Sequence, residues 1–138
     1  MTTRHRVILL VLAASGAYVG AWGLADPHSF FASFPGLGRH WTATDGPYNE
    51  HLVRDVAAFY AAFCVLSVIA AVRPERLLVV ATGIAWEVFS VPHLVYHAFH
   101  LDTLPRVDQV GELASLAATV ALAALLLLPS RAPDRSAA

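Results

Sequence analysis

Read for where apolar and polar positions fall, the chain divides into four long apolar segments separated by stretches carrying proline, glycine and charge. The first runs from Val7 to about Ala25 without a charge, the second from about His51 to Val72, the third from Leu77 to about Ala98, and the fourth from about Gln109 to Leu128. An α-helix rises about 1.5 Å per residue and needs roughly 20 apolar residues to cross the hydrocarbon core. All four segments meet that length. A helix on the outside of a soluble bundle carries a polar stripe; the fourth segment, from Leu113 to Leu128, is apolar on every side, with only Ser115 and Thr119 as mild exceptions. The pattern predicts an all-α fold: one integral membrane domain over residues 1–138, four transmembrane helices in up-down-up-down order, with spans near 7–25, 51–72, 77–98 and 109–128.

Composition strengthens that reading. Hydrophobic residues make up 57% of the 138 positions and charged ones 14%, against about 25% charged in a typical soluble protein. Mean hydropathy is +0.59. A soluble fold this short has a large surface to cover and here too few charges to cover it; a bilayer removes the difficulty. The net charge of −1 gives no case for a nucleic-acid partner. All basic residues are arginine, which together with the alanine content points to a high-GC bacterial genome. The single cysteine, Cys64, lies in an apolar run and excludes an internal disulfide or CxxC pattern.

Arg4 and Arg6 ahead of an apolar stretch, with Gly20 and Ala21 behind it, imitate a signal peptide. The run continues through Trp22 to Ala25, so a retained first span is expected. Arg4, Arg6, Arg73, Arg76, Arg131 and Arg135 fall on one side of a four-span arrangement, and only Arg39 and Arg106 on the other. The positive-inside rule then puts both termini and the turn at residues 73–76 in the cytoplasm of a bacterial plasma membrane. In the long outer connection from Asp26 to Tyr48, residues 28–34 (HSFFASF) can form a short interfacial helix with Phe30, Phe31 and Phe34 against lipid. Trp22, Trp41 and Tyr48 suit the aromatic belt. Gly16 and Gly20, extended by Gly23, form a GxxxG face; it serves internal packing or, as the sharper alternative, a homo-oligomer or membrane-complex partner.

The informative polar residues gather at the outer side. Asn49, Glu50, His51, Arg54 and Asp55 open the second segment. Glu87, His93, His97 and His100 lie along the third, Asp102 and Asp108 follow, and Glu112 sits in the first turn of the fourth. His40, His51, His93, His97 and His100 all belong to this region, with Asp26 and His28 just beyond the first span. His93, His97 and His100 share one helical stripe, and the pairs Glu50–Arg54 and His51–Asp55 are four apart. Asp55 can orient the His51 ring as carboxylates do for metal-binding or acid-base histidines. Glu87 is deepest, roughly 15 Å from either end of its segment. A carboxylate there is costly and should be protonated, paired or facing a wet cavity, and Arg54 is its candidate partner. Pro92 interrupts the helix ladder between Glu87 and His93.

The bland alternatives are plain. His100 and Asp102 fit an ordinary interface, Glu50 and Glu112 fit helix N-termini, Arg54 and Asp55 can snorkel, and the whole set can be a structural polar clamp. The sharper expectation is an outer His/carboxylate site of His51, Asp55, Glu87, His93 and His97 that binds a transition metal, zinc or non-haem iron by ligand type, with Glu112 as a further donor. A second alternative is haem b held between His51 and His93 or His97, with Gly16, Gly20 and Gly111 making room, in an electron-transfer or anchor subunit. A third is a non-enzymatic accessory or transporter-like protein. For the His/carboxylate site, Glu87→Gln is expected to disturb function more than Asp102→Asn. GLG at Gly36–Gly38 lacks the strand and helix of a phosphate loop, and no GxSxG element occurs.

Two motifs, PYNEHLVRD (Pro47 to Asp55) and VPHLVYHAFHLD (Val91 to Asp102), resemble a pattern in small actinobacterial membrane proteins of unknown function. The resemblance extends over nearly the whole chain. It implies the four-helix membrane fold and carries no assigned activity or site residue.

Overall fold

In the structure, a computed structural model, residues 3–73 and 75–129 are described. Arg131 and Arg135, two of the charges used for orientation, lie outside the described residues. The chain forms α1 (Thr3–Ala25), α2 (Pro27–Ser33), a single 3₁₀ turn at Thr42–Thr44, α3 (Glu50–Val72), α4 (Arg76–Ala98) and α5 (Arg106–Leu127), with no strand among the described residues. The four long helices are each long and apolar enough to cross a membrane, and the fold is an all-α bundle. α1 starts earlier than its apolar run and α5 starts directly after Pro105, three residues before Gln109.

Local chemistry sets several of the boundaries. Asp26 caps α2, its Oδ1 accepting the Ser29 N–H at 3.0 Å, and Pro27 fills the first turn where its missing N–H costs nothing. Asn49 caps α3 in the same way, accepting the Leu52 N–H at 3.1 Å, with Glu50 favourably placed in the first turn. α4 runs on through Pro92 to Ala98.

The buried core lies at the end of the bundle where α3 hands over to α4, here termed the turn end. Ile8, Leu9 and Leu12 of α1 meet Ala70 and Ala71 of α3, Val79 and Trp86 of α4, and Ala123 and Leu126 of α5. Residues from the start of α1, the end of α3, the first half of α4 and the end of α5 thus meet in one cluster. Trp86 is fully buried, stacks on Phe63 with centroids 4.8 Å apart, and donates its indole N–H to the Ser67 hydroxyl at 3.0 Å. Arg76 donates to the carbonyls of Leu126 and Leu127 at 2.9 and 2.7 Å, satisfying acceptors left open at the end of α5.

Two seams organise the rest. α1 lies on α3 through its glycines: a Cβ at Gly16 would stand 2.8 Å from the Tyr60 carbonyl oxygen, and one at Gly20 2.7 Å from the Ala61 nitrogen. The GxxxG face is therefore covered within the chain, and Gly16 and Gly20 are not available to an oligomer or complex partner; close backbone approach to α3 uses the space first. α4 lies on α5 at Gly83, where a Cβ would meet the Ala123 carbonyl at 3.1 Å. Outward faces are apolar, with Phe59, Val65, Val88 and Val110 all more than half exposed, and the most apolar window of α5 is only 17% buried inside the chain. Lipid contact suits surfaces of this size and polarity; water does not.

At the opposite, loop end the short α2 appears where the sequence pattern puts a helix, but it does not present all three phenylalanines outward. Phe30 is buried and packs edge-on against Trp22 at 5.7 Å, with Phe34 at 4.8 Å. The segment folds back across the bundle because its polar atoms find partners there. Tyr18 donates to the Pro35 carbonyl at 3.1 Å, His40 Nδ1 lies 2.6 Å from the Ala32 carbonyl, and Thr42 donates to the Phe31 carbonyl at 2.7 Å. Arg39 and Trp41 then both reach Asp108 in the first turn of α5, the indole at 3.0 Å and the guanidinium as a close ion pair. Gly111 makes this possible, since a Cβ there would stand 3.2 Å from the Trp41 ring.

Candidate ligand cleft

Between the two helix pairs at the loop end lies an open cleft of ≈ 1050 Å³. Its walls are mostly aromatic and aliphatic: Tyr18 and Val19 of α1, Phe30, Phe31 and Phe34 around α2, Leu52, Val56 and Tyr60 of α3, and Leu116 of α5. Trp41, Asp45 and Tyr48 of the long loop form its rim. On the α4 and α5 side its polar lining comes from His93, His97, Glu112, Ser115 and Thr119, and at the start of α3 from Asn49, Glu50 and His51.

His97 and Glu112 are the centre of this lining. His97 is 8% and Glu112 5% exposed, and His97 Nδ1 stands 2.9 Å from Glu112 Oε1. That is an ion-pair distance, but the ring nitrogen is not aligned for a hydrogen bond, and Glu112 Oε2 is buried with no partner. A buried carboxylate oxygen without a donor is costly in a native fold. Ser115 and Thr119, one and two turns further along, have turned their hydroxyls onto the carbonyls of Glu112 and Ser115, at 2.8 and 3.0 Å, so they do not relieve it. The His93 ring lies 4.7 Å from that of His97 and 5.3 Å from Phe89, extending a ring ladder along α4. Asp45, on the rim, is within electrostatic reach of His97, Glu112 and His100; the apolar surroundings raise its carboxyl above the usual carboxylate range, although it keeps contact with solvent.

The residues expected to form one site are divided by this geometry. His93 and His97 come together, and His51 lines the same cleft from the α3 side. His51 pairs with Asp55 at 3.5 Å, as their spacing implied, but its side chain is 88% exposed and Asp55 does not line the cleft. Glu87 lies off the cleft, beside the backbone of Ala124 on α5, with Oε1 buried and unpartnered. Arg54 does not reach it. Its guanidinium binds Glu50 at 2.8 Å and the Leu24 carbonyl at 2.9 Å, so local acceptors at the helix ends hold it at the loop end. Among the described residues no group of three or more His, Cys, Asp or Glu side chains is disposed to hold a metal ion. Of the glycines expected to make room for a macrocycle, Gly16 and Gly20 are filled by α3 and Gly111 by Trp41.

Glu112 reads in sequence mainly as a first-turn acid. Its pairing with His97 depends on how α4 and α5 are phased across the connection of residues 99–105, which no local spacing reports. Asp108 and Asp45 carried no signal beyond their charge. Compared with known proteins, the chain matches no protein-family model, no curated protein and no solved structure.

Proposed function

We propose that the protein binds a small lipophilic molecule with a polar head in the loop-end cleft, as a non-enzymatic accessory or transporter-like protein of a bacterial plasma membrane. By arginine placement the cleft faces outward and both termini lie in the cytoplasm. One observation carries this reading: Glu112, a buried carboxylate whose Oε2 has no partner, lines a cleft walled largely by aromatic and aliphatic side chains. Ligand sites have this form, a large apolar enclosure with a few convergent polar groups that orient the guest. A ligand hydroxyl or charged head would meet the Glu112 carboxyl group where it lines the cleft, a contact Ser115 and Thr119 do not make. His93 and His97 remain for a metal or haem, but the other expected ligands stand apart from them: Asp55 and Glu87 off the cleft, His51 on the opposite wall at the rim.

The test uses detergent-purified protein immobilised for scintillation-proximity binding, with tritiated triphenylmethanol as probe. Wild type binds saturably, and Thr119→Trp, which fills the cleft from α5, weakens binding by about tenfold or more. Elemental analysis and a visible spectrum accompany it. A stoichiometric transition metal or a haem absorption band on the purified protein would replace this reading with a cofactor site.

A further inference from the structure

Resting on the ligand-binding reading above, we infer that the cleft selects lipophilic organic cations. The geometry that points to this is the combination of a buried, half-paired carboxylate with aromatic walls and no fixed positive charge. Among the described residues no arginine lines the cleft, and the sequence has no lysine. Three arginines stand at the loop end: Arg54 is committed to Glu50 and the Leu24 carbonyl, Arg39 to Asp108, and Arg106 opens α5 off the cleft. Three acidic residues line the cleft: the buried Glu112, and Asp45 and Glu50 at the exposed rim. Arg54 offsets Glu50. A protonated His97 would neutralise Glu112 and no more, leaving Asp45 to make the lining negative.

The walls complete the recognition. Tyr18, Phe31, Phe34, Trp41, Tyr48 and Tyr60 present aromatic rings around the same volume, and ring faces attract cations, more strongly where water is excluded. A neutral lipophile gains from the walls alone. A lipophilic cation gains from the walls, the ring faces and the charge of the Glu112 carboxylate together. An anion meets repulsion from Glu112 and from the rim with no cation to receive it.

The experiment compares two tritiated probes of similar bulk on the same immobilised full-length protein: tetraphenylphosphonium, whose charge has no hydrogen to donate, and triphenylmethanol, a neutral hydroxyl donor. Wild type binds the cation more tightly. Glu112→Gln keeps the side-chain shape but removes the charge, and lowers the affinity for the cation relative to the alcohol by more than about tenfold. Asp45→Asn, on the solvent-exposed rim where folding is not at stake, lowers the same ratio by about two- to fivefold. An unchanged ratio in both variants overturns the inference. So does wild type that binds the alcohol but not the cation, which leaves the ligand-cleft reading standing. Binding of neither probe removes both. Should Glu112→Gln not fold, the Asp45→Asn ratio decides.

Discussion

Replacing Gly20 with alanine tests the α1–α3 seam, on which one wall of the cleft is built. A helix-interior glycine costs up to about 1 kcal/mol relative to alanine by propensity alone, so in an open position the substitution stabilises. Here the new Cβ would stand 2.7 Å from the Ala61 nitrogen and 3.0 Å from the Ala57 carbonyl oxygen, both backbone atoms that cannot rotate away. Ordinary contact begins near 3.4 Å, so the helices must part by about 0.7 Å locally, and overpacking of this kind costs about 1–3 kcal/mol. Gly16 and Gly23, held equally close to α3, would lose contact in the same movement. The net expectation is destabilisation of the monomer by about 1–2 kcal/mol. Unfolding in a titration of dodecyl sulfate against mild detergent measures it, with Ala17→Val as control, since Ala17 is exposed on the outward face of α1. A Gly20→Ala protein as stable as wild type, or more so, refutes the seam. A loss of dimer at unchanged monomer stability would return the glycines to an intermolecular role.

Four further outcomes follow from particular contacts. Ser67→Ala strips the acceptor from the buried Trp86 indole and should cost about 1–3 kcal/mol in the same unfolding assay; a change within error would mean the contact contributes nothing. Arg39→Ala loosens the loop-to-α5 clip, so chymotrypsin should cut detergent-solubilised protein within residues 26–49 faster than wild type while the helices stay folded; unchanged cleavage kinetics count against the clip. Because burial raises Asp45 above its ordinary value of 3.8, the folded state holds that proton more tightly than the unfolded one. Stability therefore falls as pH rises from below 3.8 through the raised value, and Asp45→Asn should remove that component from a melting profile across the acid range; parallel profiles for the two proteins defeat the point. Glu87→Gln, lying off the cleft, should leave triphenylmethanol affinity within about twofold of wild type, and a larger loss would bring Glu87 back into the site.

What could be read along the chain is what lipid and local helix geometry control. The four spans follow from apolar length, because a bilayer demands that every backbone polar group be satisfied within a helix of sufficient reach. The pairs Glu50–Arg54 and His51–Asp55 follow from four-residue spacing, which brings side chains together on any helix. Contacts between helices are another matter. Arg54 was matched to Glu87 by charge, yet a carbonyl one helix away and a carboxylate one turn back are nearer. The burial of Phe30, the covering of Gly16 and Gly20 by α3, the clip on Asp108 and the meeting of His97 with Glu112 all depend on how helices are phased about their axes and slid along one another. Hydropathy is blind to that phase, because in lipid both faces of a span can be apolar at no cost. Packing alone decides which face turns inward, and so which carboxylate lines the cleft.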